Sequence, residues 1–92
     1  MKKVLRVKVE DMHIRCGVHG TSESCPVALA LTPLLPAGKR ASVGFGWFGV
    51  LLEPGGPHLE TYDLPQSATD FIRDYDQRKP VEPFEFEVEV ES

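Results

Sequence analysis

Four residues in one short stretch, His13, Cys16, His19 and Cys25, carry the side chains that hold zinc. Neutral imidazole and thiolate form the usual tetrahedral ligand set, and Gly17 and Gly20 would let the chain fold round an ion. The spacing fits no zinc finger or knuckle, however, and Cys25 is also explained as a small residue at a helix start. The four are carried forward as metal candidates, and no cofactor is expected.

Cys25 has a second reading as a nucleophile, because the amino end of a helix stabilises a thiolate. His13, His19 and His58 are the bases that such chemistry could recruit. A cysteine beside an apolar helix acts more often as a small buried hydrophobe, so a thiol or zinc enzyme centred on Cys25 is the rival reading and no catalytic residue is assigned.

Residues 44 to 49 spell Gly-Phe-Gly-Trp-Phe-Gly, the pattern of a dinucleotide-binding turn. That motif works between a strand and a helix whose amino terminus holds the pyrophosphate, and no helix pattern follows here. The glycines instead predict a bulge or a close approach inside a strand. Phe45, Trp47 and Phe48 could stack on single-stranded nucleic acid, but Lys39 and Arg40 alone make no electrostatic track for it. The rings are therefore expected in the core.

The end of the chain holds the most regular signal. Phe84, Phe86, Val88 and Val90 alternate with Glu85, Glu87, Glu89 and Glu91, the period of a strand with one wet face. Carboxylates on one face lie roughly 6.5 to 7 Å apart, near the separation of successive phosphates. With Asp70 and Asp74 they form a candidate partner-binding surface, in the extreme case an imitation of a nucleic-acid backbone.

The elements that would position these groups follow from periodicity and punctuation. Lys3 to Val9 alternates as a first strand, and Glu10 to Glu23 reads as a loop with one helical turn near Met12 to Arg15. Ser24-Cys25-Pro26 opens a buried helix, with Pro26 at its first position, that Pro33, Pro36 and Gly38 end. Ala41 to Leu52 reads as one central strand, Glu53 to Pro57 as a turn, and His58 to Tyr62 as a returning strand. Pro65 opens a second helix with Ala68, Phe71, Ile72 and Tyr75 on one stripe, and Pro80 stops it.

The order is β-α-β-β-α-β, which predicts an α+β domain over residues 1–92. The expected form is a four-stranded, mostly antiparallel sheet with two helices on one face, a ferredoxin-like arrangement. First and last strands would then lie side by side, with Arg6 and Lys8 facing Glu85, Glu87 and Glu89.

Composition narrows the function classes. Ninety-two residues suit one domain. The formal charge of −4 divides into +2 over residues 1–62, with seven bases and five acids, and −6 over residues 63–92, with three bases and nine acids. Direct nucleic-acid binding is disfavoured by that balance. No apolar run approaches the length of a membrane span, and Met1-Lys2-Lys3 leads into a strand, so no membrane role is expected and the cytoplasm is the expected setting. Two cysteines make no disulfide framework.

Two segments together resemble a family of short uncharacterised bacteriophage and prophage proteins. Cys25-Pro26-Val27-Ala28-Leu29-Ala30 is similar to its helix start. The stretch from Phe71-Ile72 through Tyr75-Asp76 to Pro80-Val81-Glu82-Pro83-Phe84-Glu85-Phe86 is similar to its helix and final strand, with Tyr75 where that pattern often has Phe. His13, Cys16 and His19 are not part of the pattern. The resemblance brings no established activity or site residue, and implies a phage origin and the host-cell cytoplasm. The expectation is a non-enzymatic accessory protein that binds a host or phage macromolecule stoichiometrically, most simply a protein. A homodimer through the edge at His58 to Tyr62 is a further arrangement.

Overall fold

Alternation at the two ends of the chain makes a two-stranded ribbon. In the computed structural model, which describes residues 2–91, β1 (Lys2–Val9) runs antiparallel to β5 (Phe84–Glu91). Leu5, Val7 and Val9 meet Phe86, Val88 and Val90 in the core, where burial stabilises each such side chain by about 1.5–3 kcal/mol. On the wet face Arg6 stands opposite Glu87 and Lys8 opposite Glu85, as the charge pattern requires.

Between those strands lie three short helices and a second antiparallel sheet. Asp11–Cys16 forms α1, at the place where one helical turn is expected, and Pro26–Leu31 forms α2, extended by a 3-10 turn over Thr32–Leu34. Cys25 is the cap of α2, and Pro26 takes the first helical position, where its missing N–H leaves nothing unsatisfied. Every residue of α2 except Leu29 is buried, because the helix packs on both β1 and β2 and so bridges the two sheets.

Residues expected as one strand from Ala41 to Leu52 divide into β2 (Arg40–Val43) and β3 (Trp47–Leu51). Gly46 causes the division: it turns the chain at φ +83°, a conformation that costs glycine nothing, and the Gly44 amide donates to the Trp47 carbonyl across the turn. Only Phe48 of the three rings joins the core. Phe45, at the turn, is 63% exposed and Trp47 is 38% exposed, so the expectation that all three are core is corrected. β3 pairs with β4 (Glu60–Asp63), which completes a sheet in the order β2-β3-β4.

The expected four-stranded sheet is therefore replaced by two sheets, of two and three strands. β4 lies beside β5 but forms no ladder with it. On its other side Leu59 donates to Val50 and Leu64 to Gly46, which fastens both ends of β4 to β3 and the turn before it. The link between the sheets is a side chain: the Glu91 amide donates to the Tyr62 hydroxyl at 3.2 Å.

Gln66–Asp76 forms α3, which buries the expected stripe of Ala68, Phe71, Ile72 and Tyr75. Pro65 is its cap, one position outside the helix. The helix ends at Asp76 and closes on itself over the residues that lead to Pro80. Arg78 donates to the Tyr75 carbonyl and Lys79 to that of Asp74, a paired C-terminal motif whose pivot, Arg78, stands at φ +61° where glycine is usual.

Candidate binding cleft between the sheets

Because the sheets meet edge to edge without a ladder, a cleft of about 610 Å3 opens where β3 and β4 approach β5. That volume falls in the range of small-ligand and side-chain sites. Three rings line it, those of Trp47, His58 and Tyr62, together with the carboxylates of Asp63, Glu89 and Glu91 and one ammonium, that of Lys2.

Glycines seat the rings. A Cβ at position 44 would stand 2.5 Å from the Trp47 indole, and one at position 49 would stand 2.7 Å from the His58 imidazole. Neither space admits a Cβ unless the ring moves away. The indole and imidazole then meet edge to face, with centroids 5.2 Å apart. All three glycines of the hexapeptide thus serve the cleft: Gly46 makes the turn, and Gly44 and Gly49 hold two of its rings.

Tyr62 forms the inner wall. Its ring packs on buried Phe48 at 5.5 Å, and its hydroxyl donates to the Glu60 carboxylate while accepting from the Glu91 amide. Burial raises its pKa first, and the hydrogen bond to Glu60 adds to this, so the phenol stays protonated beyond its ordinary range. Asp63 stands opposite Trp47 in the β3–β4 register, which puts the carboxylate and the indole on one face. Lys2 Nζ lies 3.7 Å from Glu89.

Of the acidic residues singled out in the sequence, only Glu89 and Glu91 reach the cleft. Glu85 and Glu87 lie farther along the ribbon, Glu87 in an ion pair with Arg6 at 3.2 Å. Asp70 and Asp74 are on α3, where Asp70 accepts from Gln66 at 2.9 Å and both carboxylates flank Arg73.

The metal candidates are occupied separately. The Nδ1 of His13 accepts the Glu10 amide at 2.9 Å, one half of a capping box. His19 stacks on Tyr75 with centroids 4.2 Å apart, and Cys16 is exposed at the end of α1. Cys25 is 2% exposed and its Sγ accepts the Ala28 amide. Burial raises its thiol pKa, and that effect outweighs the opposing amide hydrogen bonds at the helix start. Among the described residues no three His, Cys, Asp or Glu side chains gather into a metal-holding group.

No family model matches the chain, and neither a curated protein nor a solved structure does. No helix among the described residues is long and apolar enough to cross a membrane.

Sequence reasoning gave Asp63 no role, and took His58 as a base for Cys25 and as the start of the returning strand and candidate dimer edge, not as a cleft ring. The signal that marks the cleft is local: glycines at two and three residues from Trp47, on either side of it, in a strand that otherwise buries its side chains. A glycine there makes room for a ring, and the ring belongs to whichever residue the hairpin brings over it.

Proposed function

We propose that this chain is a non-enzymatic, phage-type accessory protein that acts in the host-cell cytoplasm by stoichiometric contact with another protein, and that the cleft between its sheets is the contact face. The observation that carries this reading is the half-exposed Trp47, held over Gly44 and against His58 in a preformed cleft. Seated aromatic side chains lose little freedom on association and dominate binding energy at protein interfaces. Phe45 and Leu59, close in sequence to Trp47 and His58, are exposed as well. The phage setting is supported by the sequence resemblance.

Two observations weigh against the rival readings. Imitation of a nucleic-acid backbone needs a free row of carboxylates, whereas Arg6, Lys8 and Lys2 lie along the glutamate ladder. A thiol enzyme needs an accessible thiolate, whereas Cys25 is buried and its pKa is raised.

A photo-crosslinking residue in place of Phe45 tests the proposal, with the same residue in place of exposed Met12 on α1 as reference. In a bacterial host lysate the position-45 protein should form a discrete adduct with a protein, lost when His58→Ala is added, and the position-12 protein should not. Adducts from position 12 alone, or from neither, refute the reading.

A further inference from the structure

We infer that the cleft recognises the guanidinium group of an arginine side chain presented by a basic peptide segment. This rests on the binding reading above and adds to it the chemical class of the partner. The argument begins with charge. Among the described residues the Lys2 ammonium of the cleft pairs with Glu89, which leaves the Asp63 carboxylate beside Trp47 to set a negative charge there. A cation entering the cleft gains from that charge, and the gain is larger between ring walls than in open water.

The rings select among cations. Trp47 offers the most favourable of the aromatic faces to a cation, with His58 beside it, while Tyr62 lines the cleft from the sheet face that carries Phe48. A guanidinium is planar and weakly hydrated, so it stacks on such a face while its N–H fork donates to carboxylates. An ammonium is compact and strongly hydrated, and gains less from the same surroundings. Asp63 is positioned for this division of labour, since it stands opposite Trp47 on the same face of the sheet. The chain's own Lys2 already places an ammonium 3.7 Å from Glu89, with the lysine side chain 70% exposed. It is held loosely enough for an incoming cation to displace it.

Preorganisation is the second part of the argument. The indole and imidazole already pack over Gly44 and Gly49 before any ligand arrives, which lowers the ordering cost of binding. Such a seat has no structural need of its own, because the core is completed by Phe48 on the opposite face of the same strand.

Trp47 is the single tryptophan of the chain, so its fluorescence reports the cleft directly. The probes are four nine-residue peptides of one glycine-spaced design, bearing arginine, lysine, citrulline or glutamate. The arginine peptide should change Trp47 emission saturably, and bind at least tenfold more tightly than the citrulline peptide and severalfold more tightly than the lysine peptide. Asp63→Asn with Glu89→Gln should weaken it at least tenfold, whereas Glu82→Gln, at an exposed carboxylate outside the cleft, should leave it unchanged. The melting curve of each variant confirms that it is folded, and Trp47→Phe followed by calorimetry gives a second measure of the indole's part. Equal binding of the arginine and citrulline peptides, or equal weakening by Glu82→Gln, overturns the assignment, and equal binding of the lysine peptide overturns its guanidinium preference. A position-45 crosslink that persists while the arginine peptide fails to bind sinks this inference alone; loss of the crosslink sinks the binding reading beneath it.

Discussion

The imidazole of His58 lies on the backbone of Gly49, so close that a Cβ there would stand 2.7 Å from its Cγ. This contact joins the loop before β4 to the middle of β3, and with it the two rings that wall the cleft.

Gly49→Ala should separate folding from cleft geometry. His58 is exposed and its ring can swing outward, while alanine suits a strand better than glycine does. Stability should therefore change by no more than about 1 kcal/mol. The imidazole should leave the indole, and the ring-proton shifts of His58 in the NMR spectrum should lose the ring-current displacement that Trp47 imposes. Unchanged His58 shifts in the alanine variant would show that the glycine does not seat the ring.

Arg78 predicts an unusual sign for a surface change. At φ +61° its Cβ is crowded against the neighbouring carbonyl, a strain of roughly 1–2 kcal/mol for an L-residue that glycine does not bear. Glycine gives back part of that gain through its freer unfolded chain. Arg78→Gly should raise the unfolding free energy by about 0.5–1 kcal/mol in urea denaturation. Arg78→Pro should instead destabilise, since proline cannot take a positive φ and would remove the amide that donates to the Tyr75 carbonyl.

The charged ribbon face can be tested with Arg6 and Glu87, directly opposite in register and 3.2 Å apart. Both side chains are largely exposed, which keeps their coupling near the low end of roughly 0.2–1 kcal/mol. A double-mutant cycle with Arg6→Gln and Glu87→Gln should give that coupling at low salt and lose most of it at about 1 M salt, where screening acts within about 3 Å. Arg6→Glu should cost more than Arg6→Gln, and adding Glu87→Arg should restore the loss. A coupling independent of salt would mean that the strands hold register by packing alone.

How much of this was legible from the sequence depends on the range of the interaction. The β1–β5 pairing was, because two alternating runs of opposite charge match face to face when antiparallel; the exact register, Arg6 opposite Glu87, was not, since a slip of two residues keeps the same faces. The stripe of α3 and the proline start of α2 were legible for a similar reason, since helix periodicity and capping are decided within a few residues. The break between β2 and β3 was not: Ala41 to Leu52 has strand-forming residues on both parities, and only the backbone angle at Gly46 shows that the chain turns. The left-handed backbone of Arg78 carries no mark in composition. The cleft was hidden most deeply. It exists because β4 and β5 approach without pairing, a long-range relation that neither strand's own residues announce. The resemblance to phage proteins placed its motifs on α2, α3 and β5, all of them core elements, and so said nothing of Trp47 or His58.

Burial makes stability depend on high pH. The phenol of Tyr75 lies in the core with its hydroxyl donating to the Ile14 carbonyl at 3.1 Å, and burial raises its pKa above the ordinary 10.0. Burial does the same to Tyr62 and to the Cys25 thiol, whose ordinary value is 9.0. Each group holds its proton more tightly folded than unfolded. Its contribution is therefore complete below the unfolded value and is lost as pH rises from there through the folded one, which places the window above about pH 9. The unfolding free energy should fall through that window, and Cys25→Ala with Tyr75→Phe, though less stable at neutral pH, should show a shallower fall. Tyr62 and Tyr75 are the two tyrosines of the chain, so absorbance near 295 nm follows both. Tyrosinate should be less abundant at pH 10 in the folded protein than in denaturant, where it is half-formed. A native titration curve that overlays the denatured one would remove the burial argument for both phenols, and with it the inner wall assigned to Tyr62.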